Sequence, residues 1–583
     1  MTGRMLPVAI AFVFCLAGST ARAQQLTLVH VNDTHSHLDA TGPKDAQLNG
    51  TTGGMVKAAS IIGQIKMTEP NTLLLHGGDA FHGSLAFQAT FGVPELQLME
   101  ALGFDAMAVG NHEFDLGPGY LAYILSQAFA GGQALPLLSA NLDLASNPHG
   151  LANFIQPAIL KQVGGITVGI FGMTVPTNPT TNNGDVAILG GNDPVVLMQI
   201  AGYQMQSLRM QGAQVVIMLS HLGDMYDEAV AANVPGIDII VGAHDHYVFN
   251  QPKQIPNPYG QPVLVVQAGA HYQYVGVMHF TVGATGVALA DYTLVPVDKN
   301  IPDAAPIRAA VDQVKALVVQ QFGDVYHTKL AQALIDIPMT YNKSFAARDT
   351  AMGNLITDAL RGRTGTNIAI TANGLISEGI SKGAIVGDDI FRPVSYGYDT
   401  ATGLGLKLAT FKLTGVELAK SLEIGLYYLG INEDIFLQVS GMTFMYDSRL
   451  PAGQRVVLSS VRINGKALDP ATVYSVTVNE GIAMLLPTMG VQFSDLVLRP
   501  ELEYNVLKDY IVRWRYLAYT SQFRITDKAA LPVARDTETT APRDAQEMTA
   551  ASGCSAAPGT TSPAAALVLI LGLGLVVRRM RRR

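Results

Sequence analysis

The sequence predicts an α/β fold divided into two large domains, and three observations support this prediction. Short apolar runs recur through the first half of the chain, and segments with helical periodicity lie between them. Each of these runs stops at a small or polar residue, as happens at the carboxyl edge of a parallel sheet. The chain has 583 residues, which is too long for one hydrophobic core and suits two large domains with additional ends.

Composition restricts the classes of function. Hydrophobic residues make up 48% of the chain and charged residues 14%, so the chain folds. The formal net charge is −8, and both ends carry arginines without acids, so the body is more acidic than the whole. An acidic body argues against binding to a nucleic-acid polymer, because a phosphate backbone needs a basic surface. An anionic small substrate would need local help from metal ions or arginines.

The first 23 residues have the pattern of a secretory signal peptide. Arg4 precedes an apolar run, and Ala21-Arg22-Ala23 is a cleavage site of the small-x-small type. We therefore predict export and a mature chain that starts near Gln24. The only cysteines are Cys15 and Cys554, so cleavage leaves no intramolecular disulfide. The mature chain must be held by its cores and by bound metal.

Five predicted strands of the first half each end in a potential metal ligand. A single histidine after a strand is commonly an ordinary residue, whereas five such endings in one segment favour a site. Asp33 and His35 follow the strand at 25–31, Asp79 follows the strand at 72–75, and Asn111 follows the strand at 106–109. His221 follows the strand at 215–219, and His244 and His246 follow the strand at 237–241. Between the strands, helical spacing predicts helices at 94–102 and 194–210.

The ligand types indicate the kind of metal site. Carboxylate, carboxamide and imidazole groups without thiolate suit Zn, Mn or a similar divalent ion, and they exclude a structural zinc site of the cysteine type. Seven ligands are too many for one tetrahedral ion, but they fit two ions that share a carboxylate. Two metals roughly 3.5–4 Å apart polarise phosphoryl oxygens and lower the pKa of a shared water, which is the arrangement for phosphoester hydrolysis.

Two candidate catalytic residues follow the third of these strands. His112 can protonate a leaving group, and Asp115, one helical turn further on, can hold and charge that imidazole. The alternative is an ordinary capped turn before a helix.

The motifs together resemble those of the calcineurin-like metallophosphoesterases. They are Asn32-Asp33-Thr34-His35-Ser36-His37, Gly78-Asp79, Gly110-Asn111-His112-Glu113-Phe114-Asp115, Ser220-His221-Leu222-Gly223 and Gly242-Ala243-His244-Asp245-His246. More narrowly, the chain resembles the exported 5′-nucleotidase family, which includes periplasmic UDP-sugar hydrolases and 2′,3′-cyclic nucleotide phosphodiesterases. The fold implied for the first half is a four-layer α/β/β/α sandwich, with a separate α/β C-terminal domain joined by a linker helix.

The resemblance also implies roles for the candidate residues. One metal ion would be held by Asp33, His35, Asp79 and His246, and the other by Asp79, Asn111, His221 and His244, with Asp79 bridging. The family's His-Asp dyad falls on His112 and Asp115. The other histidines, including His271, are expected to be ordinary core or surface residues, although His37 and His82 lie near the ligands.

The second half resembles the family's substrate-binding domain. Its opening segment contains Arg348, and Asn373 begins the run that normally contacts substrate. By resemblance, Phe436 would stack on the nucleobase, an interaction of about 1–3 kcal/mol in single-strand binders, and Phe493 would supply a second ring. The alternative for Phe436 is a core aromatic residue at the start of a strand.

Two family motifs are altered in this half. The usual Asn-Gly-Gly-Gly-Ile-Arg run is Asn373-Gly374-Leu375-Ile376-Ser377-Glu378, so its arginine is missing, and the Gly-Gly-Asp-Gly-aromatic loop is absent. We therefore predict a dinuclear metallophosphatase of the 5′-nucleotidase type, with 2′,3′-cyclic nucleotides or UDP-sugars as alternative substrates. Two other possibilities stay open: a metal-stabilised surface-binding protein without activity, and sulfur-ester hydrolysis.

The C-terminal end predicts a tether and a tag. Residues 564–577 are apolar, and five arginines follow. Fourteen residues are fewer than the ~20 needed to span a bilayer, and the arginines would stay on the cytoplasmic side. With Gly553-Cys554-Ser555 and a spacer, this segment resembles the C-terminal sorting tags of myxobacterial exported proteins. Cys554 would then be a processing or anchoring point, and the alternative is a free thiol.

The predicted organisation follows from these features. The expected location is the periplasm or cell surface, with membrane contact only through the C-terminal segment. The divisions are a signal peptide at 1–23, a catalytic domain at 24–300, a linker helix at 301–329, a substrate-binding domain at 330–530, a tether at 531–563 and the tag at 564–583.

Overall fold

The computed structural model describes residues 24–531, apart from 134, 146–147, 176–185, 284–285 and 431–432. The predicted signal peptide and the C-terminal tag at 564–583 lie outside the described residues. The predicted tether, which contains Cys554, also lies outside them after its first residue. Within the described ranges, no helix is both long and apolar enough to cross a membrane.

The first domain alternates strands with helices, as predicted. Its strands are β1 Gln24–Val31, β2 Thr41–Lys44, β3 Gly50–Thr52, β4 Thr72–His76, β5 Ala106–Ala108, β6 Leu137–Leu138, β7 Leu142–Asp143, β8 Ile155–Gln156, β9 Ala158–Val163, β10 Ile166–Thr174, β11 Ala187–Ile188, β12 Val215–His221, β13 Ile239–Val241, β14 Lys253–Pro256, β15 Pro262–Val266, β16 Tyr274–Gly283 and β17 Gly286–Pro296. Its helices are α1 Met55–Thr68, α2 Leu85–Thr90, α3 Val93–Leu102, α4 Pro118–Ala128, α5 Pro194–Met210 and α6 Asp224–Asn233.

Two sheets form the centre of this domain. The first has the order β17-β16-β1-β4-β5-β6-β8, and the second has the order β14-β15-β13-β12-β10-β9. The strands β1, β4, β5, β6 and β8 run parallel to one another, as do β10, β12, β13 and β15. Strand β16 is antiparallel to β1 and β17, β9 is antiparallel to β10, and β14 is antiparallel to β15. The carboxyl ends of the parallel strands therefore meet along one edge of each sheet.

The hydrophobic cores show how the layers stack. In β1, Leu26 and Leu28 face the second sheet, whereas Val29 and Val31 pack towards α1, α3 and α4. Side chains of a strand alternate between faces, so one apolar strand serves two cores. A third core joins the far face of the second sheet to α5 and α6. The predicted four-layer α/β/β/α sandwich is confirmed.

A long helix, α7, lies between the two domains. It spans Ala305–Phe322, starts with Pro306 in its first turn and ends before Gly323, whose φ is 80°. Proline at a helix start and glycine after its end are favourable because the first needs no N–H and the second tolerates a left-handed backbone. Its residues Val311 and Val314 pack in the first domain's core, whereas Val318 packs in a core of the second domain.

The second domain is also α/β. Its strands are β18 Ala331–Ala333, β19 Ile368–Ala372, β20 Gly383–Ile385, β21 Lys407–Thr414, β22 Leu437–Ser440, β23 Met442–Tyr446, β24 Val456–Ile463, β25 Lys466–Ala467, β26 Val473–Asn479, β27 Ser494–Leu502, β28 Tyr516–Leu517 and β29 Ile525–Asp527, and its helices are α8 Ala351–Thr364, α9 Gly387–Phe391, α10 Gly415–Gly425, α11 Glu480–Leu485 and α12 Glu503–Trp514. The central sheet has the order β22-β19-β26-β21-β27, with smaller sheets β25-β24-β23-β29 and β20-β18-β28 beside it. The predicted separate α/β domain is confirmed.

Candidate metal centre and active site

All seven predicted metal ligands lie at the carboxyl ends of parallel strands. Asp33 and His35 follow β1, Asp79 follows β4 and Asn111 follows β5. His221 is the last residue of β12, while His244 and His246 follow β13. The two sheets thus bring residues more than 200 positions apart in sequence to one place.

Asp33, His35 and His246 form one group of potential ligands. The Nε2 atoms of His35 and His246 are 3.1 Å apart, and the Nε2 of His246 is 3.7 Å from Oδ1 of Asp33. Both oxygens of Asp33 also accept the backbone N–H of His244 at 3.0 Å. The carboxylate is therefore held in place from the opposite loop.

Asp79, His221 and His244 form the second group. Nε2 of His221 lies 3.0 Å from Oδ2 of Asp79 and 3.2 Å from Oδ1 of Asn111. The same Asn111 oxygen is 3.1 Å from Nδ1 of His244. The carboxamide oxygen thus points into this group, as the prediction required of a neutral ligand.

Backbone carbonyls orient two of the imidazoles. Nδ1 of His221 contacts the carbonyl of Gly77 at 2.9 Å, and Nδ1 of His35 contacts the carbonyl of Phe81 at 3.1 Å. An imidazole that donates its Nδ1–H to a carbonyl keeps the lone pair of Nε2 free for a metal ion. In both residues Nε2 is the atom that faces the other ligands.

The charges of the site suit a cation. Asp33 and Asp79 are buried, and among the described residues neither pairs with Lys or Arg. Burial raises the pKa of Asp33 to about 7, and the nearby Asp79 carboxylate adds to that rise although His221 opposes it. Burial disfavours the charged form of His221, but Asp79 outweighs it and raises the pKa of His221 to about 10. A buried carboxylate must be protonated, paired with a positive charge or bound to a metal ion. This donor set therefore fits divalent cations.

The loops that carry the ligands have unusual backbone angles. Positive φ values are found at Asp33, His35, Ser36, Asp79, His82, His244, His246, His271 and Tyr272. Residues other than glycine rarely adopt positive φ angles. Where they do, these angles cluster at functional sites that require a strained loop. The strain here coincides with the ligand loops.

The predicted dyad is formed beside the ligands. Nδ1 of His112 lies 2.7 Å from Oδ2 of Asp115, and the backbone N–H of His112 donates to Oδ1 of Asp79 at 2.9 Å. Burial works against protonation of His112, but Asp115 and Asp79 outweigh it and raise its pKa to about 9. The imidazole can therefore hold a proton at neutral pH next to the metal ligands.

Glu113 supports the Asp79 loop, a role that its sequence position did not indicate. Its carboxylate accepts the backbone N–H groups of Asp79 at 3.1 Å, Ala80 at 2.8 Å and Gly110 at 2.7 Å. A buried backbone donor must find a partner, and this side chain supplies one for two ligand loops at once. The only sequence signal was its place inside the Gly110–Asp115 motif.

A cluster at the domain junction was also missed. Nε2 of His37 contacts Oε1 of Glu378 at 2.5 Å, and Arg392 donates to the other oxygen of Glu378 at 3.2 Å. The ring of His271 stacks on that of His37 with centroids 4.0 Å apart, and it lies 5.7 Å from the ring of His35. His271 was expected to be an ordinary residue, and this expectation is corrected because β16 begins next to the site.

The second domain's predicted substrate residues have different surroundings. Phe436 is 1% exposed and packs against Tyr341 and Tyr446, with ring centroids 6.1 and 6.0 Å away. This packing favours the core alternative, and stacking of the Phe436 ring on a nucleobase stays a prediction. Arg348 is also buried and donates to the carbonyls of Phe345 and Ala347. Its contact with substrate stays a prediction.

The other two predicted substrate residues have identifiable neighbours. Asn373 accepts a hydrogen bond from Nε2 of Gln438 at 2.9 Å. Phe493 is half-buried, with its ring centroid 5.6 Å from that of Phe411. Contact of either residue with substrate stays a prediction.

Comparison with known families gives two matches in the expected order. The calcineurin-like phosphoesterase family matches residues 26–248, and the C-terminal domain of 5′-nucleotidases matches residues 328–485. The chain is 30% identical to the 5′-nucleotidase of Mus musculus over 469 residues, which are 75% of this chain and 78% of the mouse protein. It is 27% identical to the trifunctional nucleotide phosphoesterase YfkN of Bacillus subtilis over 491 residues, but it spans only 31% of that longer protein.

Solved structures agree with these matches. The 5′-nucleotidase precursor from Thermus thermophilus superposes with a TM-score of 0.74 at 30% identity, covering 86% of this chain and 99% of that one. The Thermus sulfate thiohydrolase SoxB superposes with a TM-score of 0.70 at 19% identity, covering 86% of this chain and 96% of that one. The second likeness shows a shared fold.

Proposed function

The chain belongs to the 5′-nucleotidase family, and we propose that it is a dinuclear, metal-dependent hydrolase that releases phosphate from nucleotides outside the cytoplasm. Its relatives and its donor set support divalent metal ions and nucleotide phosphoester hydrolysis. The observation that carries the proposal is the contact of a His-Asp dyad with a largely buried group of seven residues that offer oxygen and nitrogen ligands.

The ligand groups support two metal positions. Asp33, His35 and His246 would hold one ion, and Asn111, His221 and His244 the other. Asp79 would bridge the two positions. When bound, the ions would polarise the phosphoryl oxygens and activate a water molecule.

The residues of the chain itself account for proton transfer. His112 would give the proton on Nε2 to the leaving oxygen as the P–O bond breaks, with the bonding electrons staying on that oxygen. Asp115 accepts from Nδ1 at 2.7 Å, which orients the ring and stabilises its charged form. A positioned general acid of this kind contributes about 10²–10⁴-fold to the rate.

The second domain supports a substrate with a single phosphoryl group. The Asp434 carboxylate of this domain is close enough to His244 and Tyr396 to influence the pKa of both. Arg392 already forms ion pairs with Glu378, Asp388 and Asp389. Of these, Glu378 also contacts His37 beside the metal ligands. The metal ions would neutralise one phosphoryl group of the substrate. A second phosphoryl group would have no free arginine here among the described residues and would lie near the carboxylate of Asp434. We therefore favour a nucleoside 5′-monophosphate over a nucleotide sugar.

The proposed location is outside the cytoplasm. The signal pattern at 1–23 supports export to the periplasm or cell surface, and the related Thermus structure is described as a precursor. Anchoring through the tag at 564–583 and processing at Cys554 belong to the same proposal.

Phosphate release by the purified protein tests the function. The protein is stripped with a chelator and then supplied with Mn, Zn or Co. Nucleoside monophosphates, 2′,3′-cyclic nucleotides, UDP-sugars and an aryl phosphate are compared. We expect metal-dependent release that is fastest on a nucleoside 5′-monophosphate. His112→Ala should reduce kcat by about 10²–10⁴-fold on that substrate, and Asp79→Ala should abolish metal dependence together with activity.

The alternatives have distinct outcomes. A folded, metal-loaded protein that releases no phosphate from any substrate would overturn the enzyme proposal and favour a surface-binding protein. Preferred hydrolysis of a UDP-sugar would overturn the substrate assignment while leaving the hydrolase in place.

A further inference from the structure

Three side chains with metal-binding atoms meet at the junction of the two domains. They are His37, His271 and Glu378, and one nitrogen or oxygen atom of each lies within 4.8 Å of the other two. His37 follows β1 and His271 precedes β16, so both belong to the first domain, whereas Glu378 follows β19 in the second. The two imidazoles are buried, and the Glu378 side chain is 13% exposed. This junction cluster shares no residue with the two ligand groups of the candidate metal centre.

The contact between His37 and Glu378 requires a cation between the two side chains. Nδ1 of His37 lies 2.8 Å from the carbonyl oxygen of His35 and 3.1 Å from that of Thr34. A carbonyl oxygen only accepts hydrogen bonds, so Nδ1 must carry a proton. Nε2 of the neutral ring then has a lone pair, and it faces Oε1 of Glu378, another acceptor, at 2.5 Å. Two acceptors do not face each other at this distance unless a proton or a metal ion lies between them.

The position of His271 favours a metal ion over a proton. Its ring lies against that of His37, with centroids 4.0 Å apart and an interplanar angle of 20°. Its Nδ1 is 3.9 Å from the same Oε1 of Glu378, and no other carboxylate of the described residues lies within 4 Å of the ring nitrogens. A proton between His37 and Glu378 would give His271 no role, whereas a metal ion binds several donors at once. The metal ion therefore accounts for all three side chains.

The fixed charges of the junction also accommodate a further cation. Arg392 contacts Glu378, Asp388 and Asp389, and Lys44 lies 3.0 Å from Asp389. These three carboxylates face two permanent positive charges, so one negative charge is left to be compensated. Arg392 donates to Oε2 of Glu378 at 3.2 Å, which leaves Oε1 directed at the two imidazoles.

We propose that the junction cluster binds a third divalent metal ion, held by Nε2 of His37, Nδ1 of His271 and Oε1 of Glu378. Two imidazole nitrogens and one carboxylate oxygen are a donor set that proteins use for zinc. Because the ligands come from both domains, the ion ties the second domain to two loops of the first. The site goes beyond the proposed function, which needs only the two ions of the candidate metal centre.

The third ion lies beside the first ligand group of that centre. The ring of His271 is 5.7 Å from that of His35 and 5.8 Å from that of His246. A variant of the junction cluster could therefore disturb the neighbouring ion. The measurement must locate each ion separately, and loss of activity alone is not sufficient.

The experiment uses zinc as the probe and the full protein. The protein is stripped with a chelator, reloaded with a small excess of zinc and desalted. Mass spectrometry gives the zinc content per chain, and anomalous diffraction at the zinc edge locates each ion in crystals. We expect three ions per chain, with the third at about 2.0–2.2 Å from each of its ligand atoms.

Two variants remove a ligand and keep the shape of the cluster. Glu378→Gln retains the side chain's length but loses its charge, and His271→Phe retains a ring that can stack on His37. Each should bind two ions per chain and lack only the anomalous peak at the junction cluster. His271→Phe leaves the ion pairs of Arg392 in place, so it tests the site if Glu378→Gln fails to fold.

His279→Gln is the matched control. His279 also contacts carboxylates, those of Glu69 and Asp291, each at 2.9 Å. Its substitution removes an imidazole–carboxylate contact of the same kind outside the junction cluster. This variant should keep all three ions.

Other results would overturn the inference. Zinc at the two positions of the candidate metal centre but not at the junction cluster would overturn the inference alone, and would assign the contact between His37 and Glu378 to a shared proton. A third ion that persists in both Glu378→Gln and His271→Phe would also overturn it, as would its loss in His279→Gln. A protein that binds zinc at none of the positions would overturn the dinuclear centre of the proposed function as well, so the two failures are distinguishable.

Discussion

At the scale of single residues, the candidate site depends on glycines that let two loops approach each other closely. A Cβ added at Gly110 would lie 2.1 Å from Oδ1 of Asp79, and one added at Gly78 would lie 2.7 Å from Nδ1 of His221. Real carbon atoms do not approach so closely, so a side chain at either position must displace a metal ligand. These glycines therefore set the spacing of the ligands.

We predict that Gly110→Ala disrupts metal binding. The new methyl group must displace the Asp79 carboxylate, which is buried and bonded to the backbone of His112. Metal affinity and kcat should each fall by about 10–100-fold or more, since even indirect disturbance of ligands has effects of that size. Metal content by mass spectrometry and phosphate release measure the two effects.

The control for this prediction is Gly131→Ala. A Cβ at Gly131 meets nothing within 4 Å, so this variant should retain both metal and activity. Full metal content in Gly110→Ala would show that Asp79 is not held where the structure places it.

At the scale of elements, helix α12 begins with a buried carboxyl group. Glu503 is 3% exposed and accepts a hydrogen bond from Nδ2 of Asn479 at 3.0 Å. Burial raises its pKa to about 7, and that hydrogen bond opposes the rise. An acid whose pKa is raised on folding stabilises the fold below its unfolded pKa, near 4.5, and this contribution is lost as the pH rises towards 7.

We predict that Glu503→Gln removes this dependence. The variant keeps the shape and the polar contact to Asn479 but cannot ionise, so it should gain stability relative to wild type as the pH rises from about 4.5 to 7. The rise in the pKa of Glu503 from 4.5 to about 7 corresponds to a change of about 3 kcal/mol at most in the free energy of unfolding. Melting temperatures of both proteins measured from acidic to mildly alkaline pH test this. Parallel curves for the two proteins would contradict the prediction.

A second element-scale feature is the ionic junction around α9. Arg392, directly after this helix, is 3% exposed and contacts Glu378, Asp388 and Asp389. The first domain adds Lys44, which is 3.0 Å from Asp389, and His37, which contacts Glu378. The junction thus ties the second domain to two loops of the first.

We predict that Arg392→Met destabilises the protein strongly. Removing the guanidinium leaves three buried carboxylates with fewer partners, and breaking a buried ion pair from one side costs about 3–5 kcal/mol. Chemical denaturation measures the loss. Lys412→Met is the control, because both members of its ion pair with Asp495 are exposed and the pair should contribute nothing measurable. An Arg392→Met protein as stable as the control would mean that the junction carries no net stabilisation.

At the scale of the whole molecule, local patterns predicted far more than long-range contacts. The strands that end in ligands and the α5 helix at 194–210 were predicted, because apolar periodicity and the residue at a strand end are properties of a short segment. The four-layer sandwich was expected only from the resemblance to the family. The same holds for the His112–Asp115 pair, whose spacing is one helical turn.

The features that were missed depend on residues distant in sequence. Glu113 was visible, but the backbone groups it binds at Asp79 and Ala80 were not predictable from its own segment. His271 and Glu378 reach the site only because β16 and the second domain pack there. Phe436 has the same local sequence whether its ring faces a cleft or a core, so its packing against Tyr341 and Tyr446 could not be predicted from that segment.

The two domains also share structure that should make them unfold together. Helix α7 contributes Val311 and Val314 to the first domain's core and Val318 to the second domain's core. Leu85 of the first domain is buried in a core of the second. Stability gained at the metal centre should therefore be transmitted to the whole molecule.

We accordingly predict that chelation of divalent ions lowers the melting temperature of a single transition and does not split it in two. Metal ions that bind only the folded state stabilise it by about 2.7 kcal/mol at a hundredfold excess over Kd, and Asp33 and Asp79 lose their compensating charge when the ions leave. Calorimetry with a chelator, and after Mn is restored, measures the shift. Asp79→Asn is the comparison, since a protein that lacks this carboxylate should respond little to the chelator. A second transition on chelation would contradict the coupling through α7 and Leu85, and an unchanged melting temperature would contradict metal binding itself.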